Sequence, residues 1–197
     1  IYTDIKQNIL PELRRARLIV NYEIIGRSDA QILEQFASDP SKLSVEEMLY
    51  GANRLVKDDA TRQKWNETIA KQYPSDYHAL NNLAQQAISK GDVNAAESYL
   101  KQAAQVSKNA SEVNTNLALM SLKSGDVAKA ETYLAKGSGS NTFKEVMGNL
   151  NIAKGNYTQA ASDLAGVNTN SAALAQILAK DYTSAKTTLS KIKNADA

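Results

Sequence analysis

The sequence predicts a right-handed α-solenoid of about four stacked helix pairs, preceded by a short segment with one helix and one β-strand. Three observations carry this. A glycine followed by Asp or Asn recurs at Gly91-Asp92, Gly125-Asp126 and Gly155-Asn156, with spacings of 34 and 30 residues. Around each glycine stand the same residue types in register: Ala84, Ala118 and Gly148 before it, then Ala96, Ala130 and Ala160, then Leu100, Leu134 and Leu164. A repeat of this length is one helix–turn–helix, which cannot bury its own apolar face and must stack on a neighbour. The third observation is the run from Arg15 to Ile25, RARLIVNYEII, which supplies the strand.

The elements follow in order. Residues 1–12 read as helical, with Ile5, Ile9 and Leu13 on one face and Pro11 disturbing the end. From Arg15 to Glu23, Ala16, Leu18, Val20 and Tyr22 alternate with Arg17, Asn21 and Glu23, which predicts an extended segment. Such a strand needs a partner, either in an upstream domain or on another chain. Ser28 with Gln31, and Ser44 with Glu47, are capping-box pairs that open two helices, to about Ala37 and to about Lys57. Asp39-Pro40 separates them. Asp58 or Asp59 caps the next helix, which ends at Tyr73-Pro74 and carries Trp65 as a core or cap residue. The chain divides into an α/β adaptor at 1–43, read as the tail of an upstream domain, a degenerate first helix pair at 44–76, and repeats over 77–197. The repeats run 77–110, 111–140, 141–167 and 168–193. In the fourth, Lys180-Asp181-Tyr182 replaces the glycine step and predicts a short first helix. Gly137-Ser138-Gly139-Ser140 closes the shortened turn after the second.

This register resembles the tetratricopeptide repeat (TPR) family over about residues 59–193. The resemblance implies a protein-interaction array whose first helices line a concave groove. The second, fifth, sixth, ninth and later groove positions fall on His78, Asn81, Asn82, Gln85, Ile88 and Ser89 in the first copy. They fall on Glu112, Thr115, Asn116, Leu119, Leu122 and Lys123 in the second, and on Thr142, Glu145, Val146, Asn149, Ile152 and Ala153 in the third. Family members that clamp terminal carboxylates need cations at several of these places. Only Asn116 matches that clamp. Asn82 and Asn116 share the sixth position, where an amide both donates to and accepts from a peptide unit without desolvating a charge. The alternative reading is that both asparagines satisfy helix ends or the neighbouring repeat.

Composition narrows the function. Lys plus Arg number 23 against 21 acidic residues, a balance that argues against a nucleic-acid surface. There is no Cys and His78 is the one histidine, so neither a thiolate nor a common zinc set can be assembled within the chain. No phosphate-binding loop, nucleophile elbow or transmembrane run is present in the sequence. No catalytic, cofactor or metal residue is assigned. All six arginines precede residue 63, which marks the start of the chain as a different module. ELRRARLIVNYEIIGRSDAQI, SDPSKLSVEEMLYGANRL and AALAQILAKDYTSAKTTL are similar to the C-terminal repeat region of large Bacteroidales envelope proteins. That resemblance implies an exported, periplasmic or surface location. The function expected is a non-enzymatic protein- or peptide-binding scaffold, and the alternative is a structural spacer with no ligand.

Overall fold

The computed structural model describes residues 1–9 and 26–192. Every element among the described residues is helical, and no strand occurs there. This overturns the mixed helix-and-strand character expected of the N-terminal segment. The run from Arg15 to Glu23 itself lies outside the described residues. The physical reason for the correction is context: alternation specifies a strand only where a sheet edge can receive it, and the described residues offer no edge.

A short exposed stretch, Tyr2–Asp4 running into a π-helical Ile5–Ile9, comes first. After it, α1 spans Asp29–Ser38 and α2 spans Val45–Tyr50, extended by a π-helical turn at Gly51–Leu55. Both α1 and α2 start in complete capping boxes, at Ser28 with Gln31 and at Ser44 with Glu47. The Ser44 backbone N–H and the Arg27 guanidinium hold the Glu47 carboxyl below its ordinary range. Next comes α3, Asp59–Gln72, capped by the Asp58 carboxylate on the Thr61 N–H.

Ile32 of α1, Leu43, Met48, Ala52, Val56, Trp65 and Ile69 form one buried core, continued by Ala79 of the next helix. Trp65 stacks on Phe36 at 3.7 Å between ring centroids, so it packs in the core. Gly51 lies so close to that indole that a Cβ there would run into the ring.

Four helix pairs follow: α4 His78–Lys90 with α5 Val93–Val106, α6 Ser111–Lys123 with α7 Val127–Leu134, α8 Phe143–Ala153 with α9 Tyr157–Asp163, and α10 Asn170–Leu178 with α11 Tyr182–Lys191. Each pair packs internally, and the first helices α4, α6, α8 and α10 also touch one another in that order. The second helix of each of the first three pairs contacts the first helix of the next. Gly91, Gly125 and Gly155 sit at the helix ends with φ between 76° and 80°. The residue after each bonds back to close the turn, as in Asp92 N–H to the Ala87 carbonyl at 2.9 Å. Asp92, Asp126 and Asp181 cap the following helices, whereas the Asn156 amide turns to Asn151.

Ala84 and Ala118 are fully buried at the helix crossings. Gly148 takes the same place because its partner, Leu164, fills the space a Cβ would need. The 137–140 tract forms consecutive turns, with Gly137 buried against Thr115.

Candidate interaction surface

The first helices are stacked so that the expected groove residues fall along one series. The structure sorts them by burial. Asn81, Thr115 and Asn116 are buried. Asn82, Glu112, Leu119, Glu145 and Asn149 are half-buried, and His78, Gln85 and Lys123 are exposed.

The buried members have partners within the array. The Asn116 amide, 4% exposed, donates to the Asn81 side-chain oxygen at 2.8 Å. Asn82 donates to Asn66 at 3.2 Å and to Asn53 at 3.4 Å. Asn66 in turn donates to the Arg62 carbonyl at 3.0 Å. Thr115 donates within hydrogen-bond distance of the Ser111 carbonyl at 2.8 Å and of the Gly137 carbonyl at 3.2 Å, which pins the shortened turn to α6. The Asn116–Asn81 bond and the bonds from Asn82 to Asn66 and Asn53 cross between helix pairs, whereas the Thr115 bonds stay within one copy. The sixth-position asparagines therefore join neighbouring helices, and Asn53 and Asn66 belong to the same network. Sequence reasoning missed those two because they lie in the degenerate first pair, where no glycine step sets the register.

Glu112 and His78 are also locally engaged. Glu112 accepts from the Tyr77 hydroxyl at 3.3 Å and from Ser111 at 3.2 Å. Burial, with that carboxylate beside it, raises the Tyr77 hydroxyl above its ordinary pKa. His78 sits at the start of α4, its Nδ1 3.0 Å from the Asp76 carboxylate and its ring stacked on Tyr77 at 4.1 Å. No group of three metal-ligating side chains occurs among the described residues. No helix among them is long and apolar enough to cross a membrane.

Two wider grooves open elsewhere. One, of about 570 Å³, lies between α9, α10 and α11 and is lined by Ser162, Gln176, Thr187 and Thr188. The other, of about 630 Å³, lies between α8 and α9 and holds the Asn151–Asp163 hydrogen bond at 2.7 Å.

Stacked helix pairs, left-handed glycines at the turns and small residues at the crossings recur from one copy to the next. Residues 87–145 match the model of the tetratricopeptide repeat family. No curated protein matches the chain. The TPR match begins inside α4 and ends inside α8, so it takes in α5, α6 and α7, the buried Asn116 and the Thr115–Gly137 contact. The pairs on either side continue the same packing.

The groove expectation stops at the third copy. With Ala185 aligned on Ala96, Ala130 and Ala160, the counterparts of Gln85, Ile88 and Ser89 in the fourth copy are Leu174, Ile177 and Leu178, and all three are exposed. The residues at these positions thus change from a mixed set with the Gln85 amide in α4 to exposed apolar side chains in α10.

Proposed function

We propose that the face formed by α4, α6 and α8 is a protein-interaction surface of a non-enzymatic TPR scaffold, and that it takes an uncharged extended segment of a partner. The observation that carries the reading is the stacking of these first helices with exposed or half-buried polar side chains, Gln85, Lys123, Glu145 and Asn149, above an already satisfied amide layer. The buried layer fixes the spacing of the helices. The outer side chains are left to a ligand. Neutral polar contacts such as those Gln85 and Asn149 can make contribute about 0.5–1.5 kcal/mol each, so affinity comes from several acting together.

The test replaces the outer layer and leaves the inner one alone. Gln85→Arg combined with Asn149→Arg should reduce capture of partner peptides from an envelope extract by roughly tenfold, with an unchanged melting temperature. Undiminished capture by the folded double variant would remove the groove reading and leave the spacer. The envelope setting comes from the sequence resemblance. Fractionation tests it: recovery with a cytosolic marker would sink it.

A further inference from the structure

The residue four places before each turn shows how a repeat satisfies its inner side chains. These residues are Ala87, Ser121, Asn151 and Gln176, and the carbonyl of each accepts from the N–H of the residue after the turn. Ala87 has no polar side chain to satisfy. The Ser121 hydroxyl donates to the Leu117 carbonyl at 2.9 Å. The Asn151 amide is used at both ends: its nitrogen donates to Asp163 at 2.7 Å, and its oxygen accepts from Asn156 at 3.4 Å. Gln176 is 7% exposed, and its side-chain oxygen is buried with no hydrogen-bond partner among the described residues.

Two differences between the third and fourth copies account for this. Asp181 takes the place of Asn156, and a carboxylate accepts but does not donate. It is also engaged in capping α11, on the Ser184 N–H at 3.0 Å. Thr188 takes the place of Asp163, and of Tyr99 and Tyr133 in the copies before. It is shorter than any of them, and with Gln176 it lines the groove of about 570 Å³ between α9, α10 and α11. An acceptor buried without a donor carries an uncompensated desolvation cost, which an N–H or O–H brought by a ligand removes.

The rest of the lining says which donor fits. Ser162, Ser184, Thr187 and Thr188 bring hydroxyls, and among the described residues no aromatic or large aliphatic side chain lines the groove. Its one acid and one base, Asp181 and Lys191, balance, so a ligand of either sign meets a like charge. We propose that this groove binds a neutral polyhydroxylated molecule of mono- or disaccharide size, one hydroxyl of which donates to the Gln176 side-chain oxygen. The last torsion of a glutamine is soft, so the carboxamide can swing that oxygen toward the groove. A sugar hydroxyl donates and accepts at once, so one ring can donate to Gln176 and Asp181 and accept from the Ser and Thr hydroxyls. The volume lies within the roughly 300–1,000 Å³ of small-molecule pockets. The site is separate from the face of α4, α6 and α8, and the proposal does not rest on that face binding a partner.

Saturation-transfer NMR on the whole chain with D-glucose, D-galactose and N-acetyl-D-glucosamine reads binding, and the side-chain NH₂ resonances of Gln176 report its place. At least one sugar should give a saturable signal and move those resonances. Gln176→Leu removes the unpaired oxygen, so it should leave the melting temperature unchanged or raised and weaken that sugar by about tenfold. Thr188→Tyr restores the tyrosine of the first two copies and fills the groove. It should weaken the sugar as much, and it gives the readout if Gln176→Leu does not fold. Val93→Lys, at an exposed site on α5, should bind as the parent does. The proposal falls if none of the three sugars binds the parent chain, if a sugar binds without moving the Gln176 resonances, or if a folded groove variant binds it equally well. It also falls if spermidine or citrate displaces the sugar, because that makes the groove a site for charge.

Discussion

Lys180 occupies the turn that Gly91, Gly125 and Gly155 occupy in the earlier repeats, and it adopts their backbone, with φ at 64°. Its neighbour Asp181 still bonds back to the Gln176 carbonyl at 2.8 Å. The missing glycine therefore does not remove the turn; a side-chain-bearing residue holds a left-handed conformation at a cost of roughly 1 kcal/mol. Lys180→Gly should raise the stability by about that amount in urea melts, and a loss of stability would contradict the strain. The reverse holds at Asn116. Removing its amide strands the buried Asn81 oxygen, so Asn116→Ala should cost about 1–3 kcal/mol. Unchanged stability would show that the pair is not a structural contact. The glycines, the caps Asp92 and Asp126 and the buried alanines were legible in the sequence because each follows from local geometry. The Asn116–Asn81 bond was not, because two residues 35 apart acquire a partnership only once the helices are stacked.

Helix pairs are set by what fits at their crossings. Three crossings show their small residue in the sequence register, but the one at Gly51 does not, since its helix ends in a π turn and its partner is Trp65. The sequence read Trp65 as a core or cap residue and left its contact unnamed. Gly51→Ala should destabilise the chain by about 1–3 kcal/mol through overpacking against the indole. Gly26→Ala, where an added Cβ meets nothing within 4 Å, should stay within about 0.5 kcal/mol of the parent. Comparable losses in the two variants would mean that the Gly51–Trp65 contact is not formed. The first helix of the fourth pair is shorter than those before it, as expected from the sequence. The strand expectation came from an alternating pattern in isolation, and a pattern carries no information about whether a partner strand exists.

Across the whole molecule, stability is the sum of nearest-neighbour interfaces, so the ends should open before the middle. The middle pairs α4–α7 are packed on both sides. The last pair exposes Leu189 and Ile177. Amide hydrogen exchange should be fastest in α10 and α11 and slowest in α4 and α6; uniform protection would mean that the chain opens as one unit. The order of the array was legible from the glycine spacing. The exposure of Leu189 was not, because it has the same sequence signature as three buried leucines and differs only in having no further helix over it among the described residues.

The amide bond between Asn116 and Asn81 also gives the array an address system. At the boundary between the copies beginning at 77 and 111, an asparagine meets an asparagine. At the next boundary the sixth position is Val146, 2% exposed, within an apolar cluster. If the copy beginning at 141 followed the copy beginning at 77, Val146 would face Asn81 and leave a buried amide oxygen with no donor. The repeats look interchangeable in outline, yet each junction recognises its own neighbour, and the order of the modules is written into their contacts.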